Sequence, residues 1–243
     1  MGSHAVTWQT RIKKRLDGLV LQPLAKWYLS KNRTYRYKGL NLSVPTGVFH
    51  PGFFFSTSYL ASFLEKRELL NKTFLELGAG SGLLSLLAAQ KGAYVTALDI
   101  SSLSVQTVGK NAKANGLSVE VLESDLFAAI PDERQFDYIV INPPYYPKEA
   151  THVAELAWYC GSRFEYFERL FAQLPPRLYH ATCWMILSEG CDVETISSIA
   201  TKNGLHLLLV EKKKVWWEWN FIFEISCRRS PLASVSSGGF RPS

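Results

Sequence analysis

Cysteine is scarce in this chain, and long apolar runs are missing. The four cysteines among the 243 residues, Cys160, Cys183, Cys191 and Cys227, form no CxxC pair and have no histidine at metal-ligand spacing. This scatter argues against a zinc site and against a disulfide framework. No apolar run approaches the ~20 residues that span a bilayer, and no N-terminal apolar stretch leads to a cleavage site. We therefore expect a cytoplasmic protein with no metal and no membrane segment.

An excess of acidic residues is also missing. The 27 lysines and arginines outnumber the 21 aspartates and glutamates, which gives a formal net charge of +6 and an isoelectric point near 9.1. A basic surface attracts polyanions such as RNA, DNA or ribosomes. A net charge of this size also keeps a small domain soluble without any such partner. Charge alone therefore leaves nucleic-acid and protein partners both open.

The sequence pattern shows no repeat and no second core, and from Phe74 onward apolar strands alternate with helices. This alternation is typical of a parallel sheet covered on both faces. Predicted strands occupy residues 73–79, 93–100, 119–125, 136–144, 181–189, 205–215 and 219–227, and predicted helices occupy 81–92, 102–116, 162–173 and 193–203. Because only a short turn near 216–218 separates the last two strands, they should pair antiparallel. We predict a Rossmann-like, doubly wound α/β fold, with a mostly parallel seven-stranded sheet that ends in an antiparallel hairpin.

Composition divides the chain into three segments. Residues 1–48 combine clustered basic residues, helical spacing within 10–29 and strand-like alternation around Gly39, which predicts a basic helical and hairpin extension. Residues 49–228 form the main domain. Residues 229–243 are small and polar, and we expect them to be a disordered tail.

A glycine-rich turn follows the first strand of the main sheet. The stretch LELGAGSG places Glu76, Gly78, Gly80 and Gly82 at the carboxyl end of that strand, where open parallel sheets bind ligands. Glycines permit the tight turn and let a ligand lie against the backbone. Dinucleotide and nucleoside binders share this pattern, so the turn alone identifies neither.

Acidic residues end the next two strands. Asp99 follows the glycine turn by about twenty residues, the position from which a carboxylate reaches a ribose diol. Asp125 ends the third strand and precedes the apolar pair Leu126 and Phe127, which suits the edge of an adenine. The alternative is that both aspartates cap helices or turns, and that Glu76 is an exposed strand end.

The fourth strand ends in the stretch VINPPYYP. Pro143 and Pro144 have no backbone N–H, so the turn presents carbonyl groups in a stiff geometry. The side-chain carbonyl of Asn142 and the main-chain carbonyl of Pro143 would form two convergent acceptors, which suit a planar NH2 group. Tyr145 would then lie flat over that group. The alternative is a structural asparagine that caps a rigid loop.

These motifs together resemble a known enzyme family. FLELGAGSG, LDI, ESDLF and NPPY are similar to the ordered motifs of class I S-adenosylmethionine-dependent methyltransferases, in the NPPY group that methylates amide or exocyclic nitrogen, and the resemblance covers about residues 45–227. It makes 49–228 the methyltransferase domain. It implies S-adenosylmethionine as cofactor, bound by Glu76, Gly78, Ala79, Gly80, Gly82, Asp99, Ile100, Asp125, Leu126 and Asn142. It also implies Asn142, Pro143, Pro144 and Tyr145 as the catalytic residues.

The resemblance leaves the target nitrogen open between two classes. One is the glutamine side chain of a translation release factor, the substrate of the HemK family, and the stretch AWYCGSRFEYFERLFAQLPPRL resembles the HemK-type segment after NPPY. The other is an exocyclic amine of adenine or guanine in RNA or DNA. For that target the basic extension and the stretch EKKKVWWEWN would supply phosphate contacts and stacking faces.

We favour the glutamine amide over the nucleobase. A non-catalytic module that only binds the cofactor is a minor alternative, since Asn142, Pro143 and Tyr145 are all present. The sequence leaves the oligomeric state undetermined.

Overall fold

The computed structural model describes residues 31–52, 55–215 and 218–227. The helix predicted within residues 10–29 and the disordered tail predicted at 229–243 lie outside these ranges. Among the described residues, no helix has both the length and the apolar composition that a bilayer crossing requires.

The elements alternate along the chain much as the sequence predicts. The described strands are β1 (Arg33–Tyr37), β2 (Leu40–Val44), β3 (Thr73–Leu77), β4 (Tyr94–Asp99), β5 (Glu120–Glu123), β6 (Tyr138–Ile141), β7 (Thr182–Ser188), β8 (Leu205–Val215) and β9 (Glu218–Cys227). The α-helices are α1 (Phe55–Glu65), α2 (Leu83–Gln90), α3 (Ser102–Ala114), α4 (Glu165–Gln173) and α5 (Val193–Lys202), and short 3₁₀ helices span Val153–Ala157 and Pro175–Leu178.

The main sheet has seven strands in the order β5-β4-β3-β6-β7-β9-β8. The first five strands of this order are parallel, whereas β9 runs antiparallel to both β7 and β8. This arrangement confirms the predicted doubly wound sheet with its C-terminal hairpin. Because β6 lies beside β3, with Ile141 opposite Leu77, the glycine turn and Asn142 leave the sheet at the same edge.

Buried side chains fill both faces of the sheet. One cluster, which includes Phe63, Phe74 and Trp184, lies on the side of α1, α2 and α3. The other, which includes Phe167 and Phe171, lies on the side of α4 and α5. Since side chains alternate along a strand, this division fixes which way each residue at the ends of β3 and β6 points.

Helix α1 is an element that the sequence patterns did not predict. The ring of Phe63 meets that of Trp184 on β7 edge-on at 5.1 Å between centroids, and the Arg67 guanidinium lies 3.9 Å above the Phe63 ring. The Tyr59 hydroxyl donates to Glu211 Oε1 on β8 at 3.0 Å. These contacts fix α1 across β7 and β8, next to the end of β6.

The predicted hairpin around Gly39 is present and docks on α3 through two asparagines. Asn111 accepts from the Ser43 N–H at 2.8 Å and donates to the Ser43 carbonyl at 2.9 Å. One helical turn later, Asn115 makes the same two bonds with Asn41, at 2.9 and 2.8 Å. The two amides therefore take the place of a neighbouring strand beside β2.

The hairpin also contributes to the core of the main domain. Leu40, Leu42 and Val44 of β2 belong to the same buried cluster as Phe74 of β3. The boundary that we predict at residue 48 stays a prediction.

Helix α4 starts at Glu165 and not at residue 162. Gly161 and Phe164 have φ values of 88° and 64°, both in the left-handed region that a right-handed helix excludes. The φ of Gly161 favours glycine, and the Glu165 carboxylate packs against its α-carbon, where an added Cβ would lie 2.0 Å from Oε2.

Candidate active site

A cleft of about 350 Å³ opens at the carboxyl ends of β3, β4, β5 and β6, a size within the usual range for small-molecule sites. Its walls include most of the predicted site residues: Glu76, Gly78, Ala79, Gly80, Asp99, Ile100, Asp125, Leu126, Asn142, Pro143, Pro144 and Tyr145. The glycine turn and the NPPY segment therefore face one shared cavity. Gly82 is the predicted site residue that the lining does not include.

Two glycines shape the floor of this cleft. The N–H groups of Gly78 and Ala79 both donate to the Leu98 carbonyl at 2.9 Å, which fastens the turn to β4. Gly78 has φ of 74°, and a Cβ built there meets nothing within 4 Å, so its α-carbon adjoins open space. At Gly80 a Cβ would lie 3.3 Å from the Cβ of Phe49, so Phe49 packs directly on the turn.

Gly82 serves packing and not the cleft. It has φ of 87°, and a Cβ there would lie 3.1 Å from both Leu86 and Val108. The glycine thus permits α2 to start close against α3. The lining of the cleft does not include Gly82, and its contact with the cofactor stays a prediction.

Glu76 is a buried carboxyl group and not an exposed strand end, since only 3% of the residue is accessible. It accepts hydrogen bonds from the Ser85 N–H at 2.8 Å and from the Ser85 hydroxyl. Burial raises the pKa of Glu76 to about 8, although these bonds act in the opposite direction. A cation placed beside Glu76 would favour its ionised form.

Asp99 is held by one backbone bond on each carboxylate oxygen. The Gly80 N–H donates to Oδ2 at 2.8 Å and the Ser101 N–H donates to Oδ1 at 2.9 Å. Burial nevertheless raises the pKa of Asp99. The Ser104 hydroxyl also hydrogen-bonds to this carboxylate, which acts to lower the pKa. A carboxylate has about four acceptor positions, so about one remains for a hydroxyl group of a diol.

Asp125 forms an ion pair that the sequence analysis did not foresee. Arg169 of α4 donates from Nη2 to Asp125 Oδ1. Oδ2 accepts no hydrogen bond within the described ranges. Leu126, which follows with φ of 51°, and Ile100 add apolar surface to the same side of the cleft.

Asn142 is oriented by a residue of α1. Its amide nitrogen Nδ2 donates to Thr57 Oγ1 at 2.9 Å, while Oδ1 accepts no hydrogen bond from any described residue. The Pro143 carbonyl likewise accepts none in the described part of the chain. Both residues line the cleft, which therefore contains two carbonyl groups that accept no hydrogen bond from the described residues.

Aromatic side chains close the cleft beside these acceptors. Tyr145 is buried, and this burial raises its pKa well above the usual value. Its ring lies 4.9 Å from that of Tyr146. Phe49 and Trp158 contact each other at 5.1 Å between centroids, so the segment after NPPY meets the segment before α1 across the cavity.

Thr57, Arg169, Phe49 and Trp158 were missed because their signal is not local. Thr57 lies 85 positions before Asn142, and Arg169 lies 44 positions after Asp125. No spacing rule connects such residues in a single sequence.

The lining fits S-adenosylmethionine, which combines a cationic amino acid end, a ribose diol and an adenine. Glu76 adjoins the turn where the cation would lie, Asp99 retains an acceptor position for the diol, and Asp125 Oδ2 would be available to the adenine amine. Gly78 opens onto space that a Cβ would reduce. Among the described residues, no group of histidines, cysteines and carboxylates has a geometry that would hold a metal ion.

Comparisons with known proteins agree with this fit. The family model of the methyltransferase small domain matches residues 40–158. Release factor glutamine methyltransferase of Bordetella pertussis is 29% identical over 155 residues, which cover 63% of this chain and 55% of that protein. The tRNA1(Val) (adenine(37)-N6)-methyltransferase of Shewanella loihica is 41% identical over 83 residues, covering 31% of this chain and 34% of that protein. The chain thus spans about half or less of these relatives.

A solved structure shows the same fold. The 16S rRNA N2 G1207 methyltransferase of T. thermophilus, in complex with AdoMet and guanosine, superposes with a TM-score of 0.58 at 23% identity, covering 82% of this chain and 50% of that one. The comparisons thus show that residues 40–158 are similar to the methyltransferase small domain and that the chain has the fold of a solved methyltransferase.

Proposed function

We propose that the protein transfers a methyl group to a planar NH2 group held by Asn142 and Pro143, and that its target is the side-chain amide of a glutamine in a translation release factor. The observation that carries the proposal is the pair of carbonyl groups in the cleft that have no partner among the described residues. An NH2 group, with its two N–H donors, would satisfy both of these acceptors.

The two acceptors would also favour the reaction. When bound, the cofactor supplies an electrophilic methyl group on its sulfonium sulfur. Hydrogen bonds from the target N–H groups to Asn142 and Pro143 place electron density on the nitrogen and stabilise the positive charge that develops there. Holding the nitrogen in line with the methyl group lowers the barrier further. The bound cofactor would give up its methyl group to the nitrogen that Asn142 and Pro143 hold, its bond to sulfur breaking as the bond to nitrogen forms, and the nitrogen would then lose a proton to water.

Tyr145 would flank the target and would not act as a base. Because its pKa is raised well above the usual value, its hydroxyl stays protonated at neutral pH. The ring is therefore a neutral wall for a planar group. Pro144 keeps the turn rigid between Pro143 and this ring.

Support for glutamine comes from the wall opposite the glycine turn. The stretch whose sequence resembles the HemK-type segment, residues 157–178, contributes Trp158, Tyr159, Tyr166 and Arg169 to the cleft. The segment that resembles the HemK-type stretch thus adjoins the proposed target site. A release-factor substrate would also place the enzyme in the cytoplasm.

A nucleobase amine is the second candidate, and a specific surface favours it. Lys212 and Lys214 lie 5.7 and 6.0 Å from the ring centre of Trp219, which is partly exposed. Lysines beside an exposed indole offer phosphate contacts and a stacking face. Because Asn220 pairs with both Ser188 and Lys213, this surface lies at the same sheet edge as the cleft.

The test is methyl transfer from labelled S-adenosylmethionine to purified release factor, tRNA and ribosomal RNA, with protease and nuclease digestion of the products. Label in the release factor that protease removes supports glutamine, and label that only nuclease removes supports the nucleobase. Asn142→Ala serves as the inactive control. If the wild-type protein binds the cofactor but labels neither class, the proposed activity is wrong.

A further inference from the structure

We infer that Arg177 is a positioning residue for the adenine end of the cofactor, because its guanidinium holds the loop that carries Asp125 and Leu126 into the cleft. The inference rests on the proposed function, in which the cleft binds S-adenosylmethionine. The loop, residues 124–132, follows β5, and Arg177 lies in the 3₁₀ helix Pro175–Leu178. Arg177 would act through the loop and would not touch the cofactor.

The guanidinium of Arg177 donates to three main-chain carbonyls of the loop. Nη2 donates to the Ile130 carbonyl at 3.1 Å, and Nη1 donates to the carbonyls of Pro131 and Asp132 at 2.6 and 3.3 Å. A guanidinium only donates and a carbonyl only accepts, so the direction of each bond is fixed. Only 6% of the Arg177 side chain is accessible, whereas the Asp132 carboxylate that it also contacts is fully exposed. The three carbonyl bonds therefore hold the loop, and the exposed ion pair adds little.

Hydrogen bonds within the loop connect the end that Arg177 holds to the end at the cleft. The Ser124 hydroxyl donates to the Leu126 carbonyl at 2.8 Å and accepts from the Ala129 N–H at 3.0 Å. The Ile130 N–H donates to the Phe127 carbonyl at 2.8 Å. The loop is thus one compact turn, so a shift of the held end would move the residues that face the cleft.

The end of the loop at the cleft has a strained backbone. Leu126 has φ of 51°, in the left-handed region that residues with large side chains rarely adopt. Such a conformation persists only where the surrounding contacts hold it. Without the bonds from Arg177 the turn could relax, and Asp125 and Leu126 would leave the positions from which they would meet the adenine.

Arg177 is itself fixed to the core on the α4 side of the sheet. Its N–H donates to the Leu174 carbonyl at 2.9 Å, and Leu174 is fully buried in the same cluster as Phe127 and Ile130. The two prolines that open the 3₁₀ helix stiffen the backbone before Arg177. Its Cζ atom lies 5.5 Å from the centre of the Phe127 ring. The loop is therefore held from a rigid part of the fold.

The experiment measures, by calorimetry, the affinity for S-adenosylhomocysteine and for S-inosylhomocysteine, in which an oxygen acceptor replaces the adenine amine. The wild type should prefer S-adenosylhomocysteine, because the amine would donate to Asp125. Arg177→Met keeps the apolar stem and removes the donors. We expect it to lower the affinity for S-adenosylhomocysteine about tenfold and the affinity for S-inosylhomocysteine much less, so that the ratio of the two affinities falls.

Arg134→Met is the matched control. Arg134 also donates to a carboxylate and lies near an aromatic ring, since it bonds to Glu120 at 3.2 Å and its Cζ atom lies 5.3 Å from the centre of the Phe136 ring. Glu120 begins β5, however, at the sheet edge opposite the cleft. Arg134→Met should therefore keep the wild-type ratio of affinities.

The ratio also separates positioning from a general loss of packing. An unchanged ratio in Arg177→Met, or an equal fall in both affinities, would overturn the inference. Rates should show a higher KM for the cofactor, with wild-type kcat once the cofactor is saturating, and a fall in kcat alone would contradict it. Should Arg177→Met fail to fold, Arg177→Lys takes its place, because one nitrogen cannot reach all three carbonyls. A wild-type ratio in that variant overturns the inference, and a lower ratio supports it.

These measurements need no methyl acceptor, which keeps the inference distinct from the proposed function. If the wild type binds neither compound, the cofactor assignment is wrong and the inference with it. Equal affinity of the wild type for both compounds would remove the role of Asp125 and overturn the inference alone. If the wild type binds with the expected ratio, Arg177→Met lowers that ratio and no methyl transfer is found, the proposed transfer is wrong and the role of Arg177 is supported.

Discussion

Glu76 is a carboxyl group whose protonation differs between the folded and the unfolded chain. In the fold its pKa is about 8, from an ordinary value of 4.5, because burial disfavours the charged form. Between these values the folded protein binds a proton that the unfolded chain has released. The resulting contribution to stability is complete below pH 4.5, and it is lost as the pH rises through 8.

Replacement of Glu76 by glutamine should remove this pH dependence. We expect the free energy of unfolding of the cofactor-free wild type to fall, relative to that of Glu76→Gln, as the pH is raised from about 5 to about 8. Urea unfolding of both proteins across this range measures the difference. Parallel stability curves would show that Glu76 is ionised in the free protein.

Asp99 and Asn142 should separate cofactor binding from turnover. Asp99→Ala removes the acceptors that we assign to the ribose diol, so cofactor affinity should fall about tenfold or more. Asn142→Ala should leave cofactor affinity nearly intact and lower kcat severely, because its carbonyl contacts the other substrate. Calorimetry and initial rates measure the two effects, with Asp132→Ala as a control on an exposed carboxylate. A loss of cofactor affinity in Asn142→Ala would overturn these assignments.

Single residues of the glycine turn and the NPPY segment were predictable because short sequence motifs indicate their chemistry. Glu76 and Asp99 lie in the last residues of β3 and β4, and Asn142 directly follows β6. Apolar runs mark these strand ends in the sequence, and parallel strands bring their ends to one edge. The contact of Thr57 with Asn142 was not predictable, since no motif near Thr57 in the sequence indicates it. The same holds for Arg169 and its partner Asp125.

At the level of elements, the docking of β2 on α3 depends on two amides in unequal surroundings. Asn111 is 2% accessible and also donates to the Ser81 carbonyl in the glycine turn at 2.9 Å. Asn115 makes the equivalent contacts with β2 at an exposed position. Asn111 therefore connects the hairpin to the cofactor loop, whereas Asn115 only secures the end of the hairpin.

Conversion of each amide to a carboxylate should show that Asn111 contributes more to stability than Asn115. Asn111→Asp replaces two donated bonds with a buried charge that faces carbonyl oxygens, and should cost about 3 kcal/mol or more. Asn115→Asp is screened by solvent and should cost about 1 kcal/mol. Urea unfolding of both variants provides the comparison. Equal costs would mean that the buried connection to Ser81 adds nothing.

Elements with regular periodicity were predictable, and those held by tertiary contacts were not. The strands and helices between residues 73 and 116 show apolar runs and glycine stops, and the structure contains each of them. Helix α1 carries aromatic and small residues at most positions, so no polar face marked it as helical. The start of α4 depends on the left-handed Gly161 and Phe164, and Phe164 gives no sequence signal for that conformation.

Across the whole molecule, charge is unevenly placed. The chain carries a formal net charge of +6, yet the cleft is lined by carboxyl groups: Glu76, Asp99, Asp125, Glu149 and Glu165. Among the described lining residues, Arg169 is the one cationic side chain, and it pairs with Asp125. The cavity thus suits a cationic cofactor, whereas any polyanion would have to be held outside it.

The lysines of β8 are where such a polyanion would bind. If RNA is the substrate, a variant with Lys212, Lys213 and Lys214 all replaced by alanine should bind single-stranded RNA more weakly, and the slope of log affinity against log salt should decrease by about two. Fluorescence anisotropy over a salt series measures this slope. Methylation of a protein substrate should be unaffected. An unchanged slope would remove the support for a nucleobase target.

The contact that Asn115 makes at the end of α3 can be lost by a chemical change of the asparagine itself. Asn115 is followed by Gly116, and asparagine is a thermolabile residue whose conversion to aspartate is fastest when glycine comes next. An aged preparation would accumulate molecules in which a carboxylate opposes the Asn41 carbonyl, so the hairpin would be secured by Asn111 alone. The measured free energy of unfolding would then depend on how long the protein had been stored.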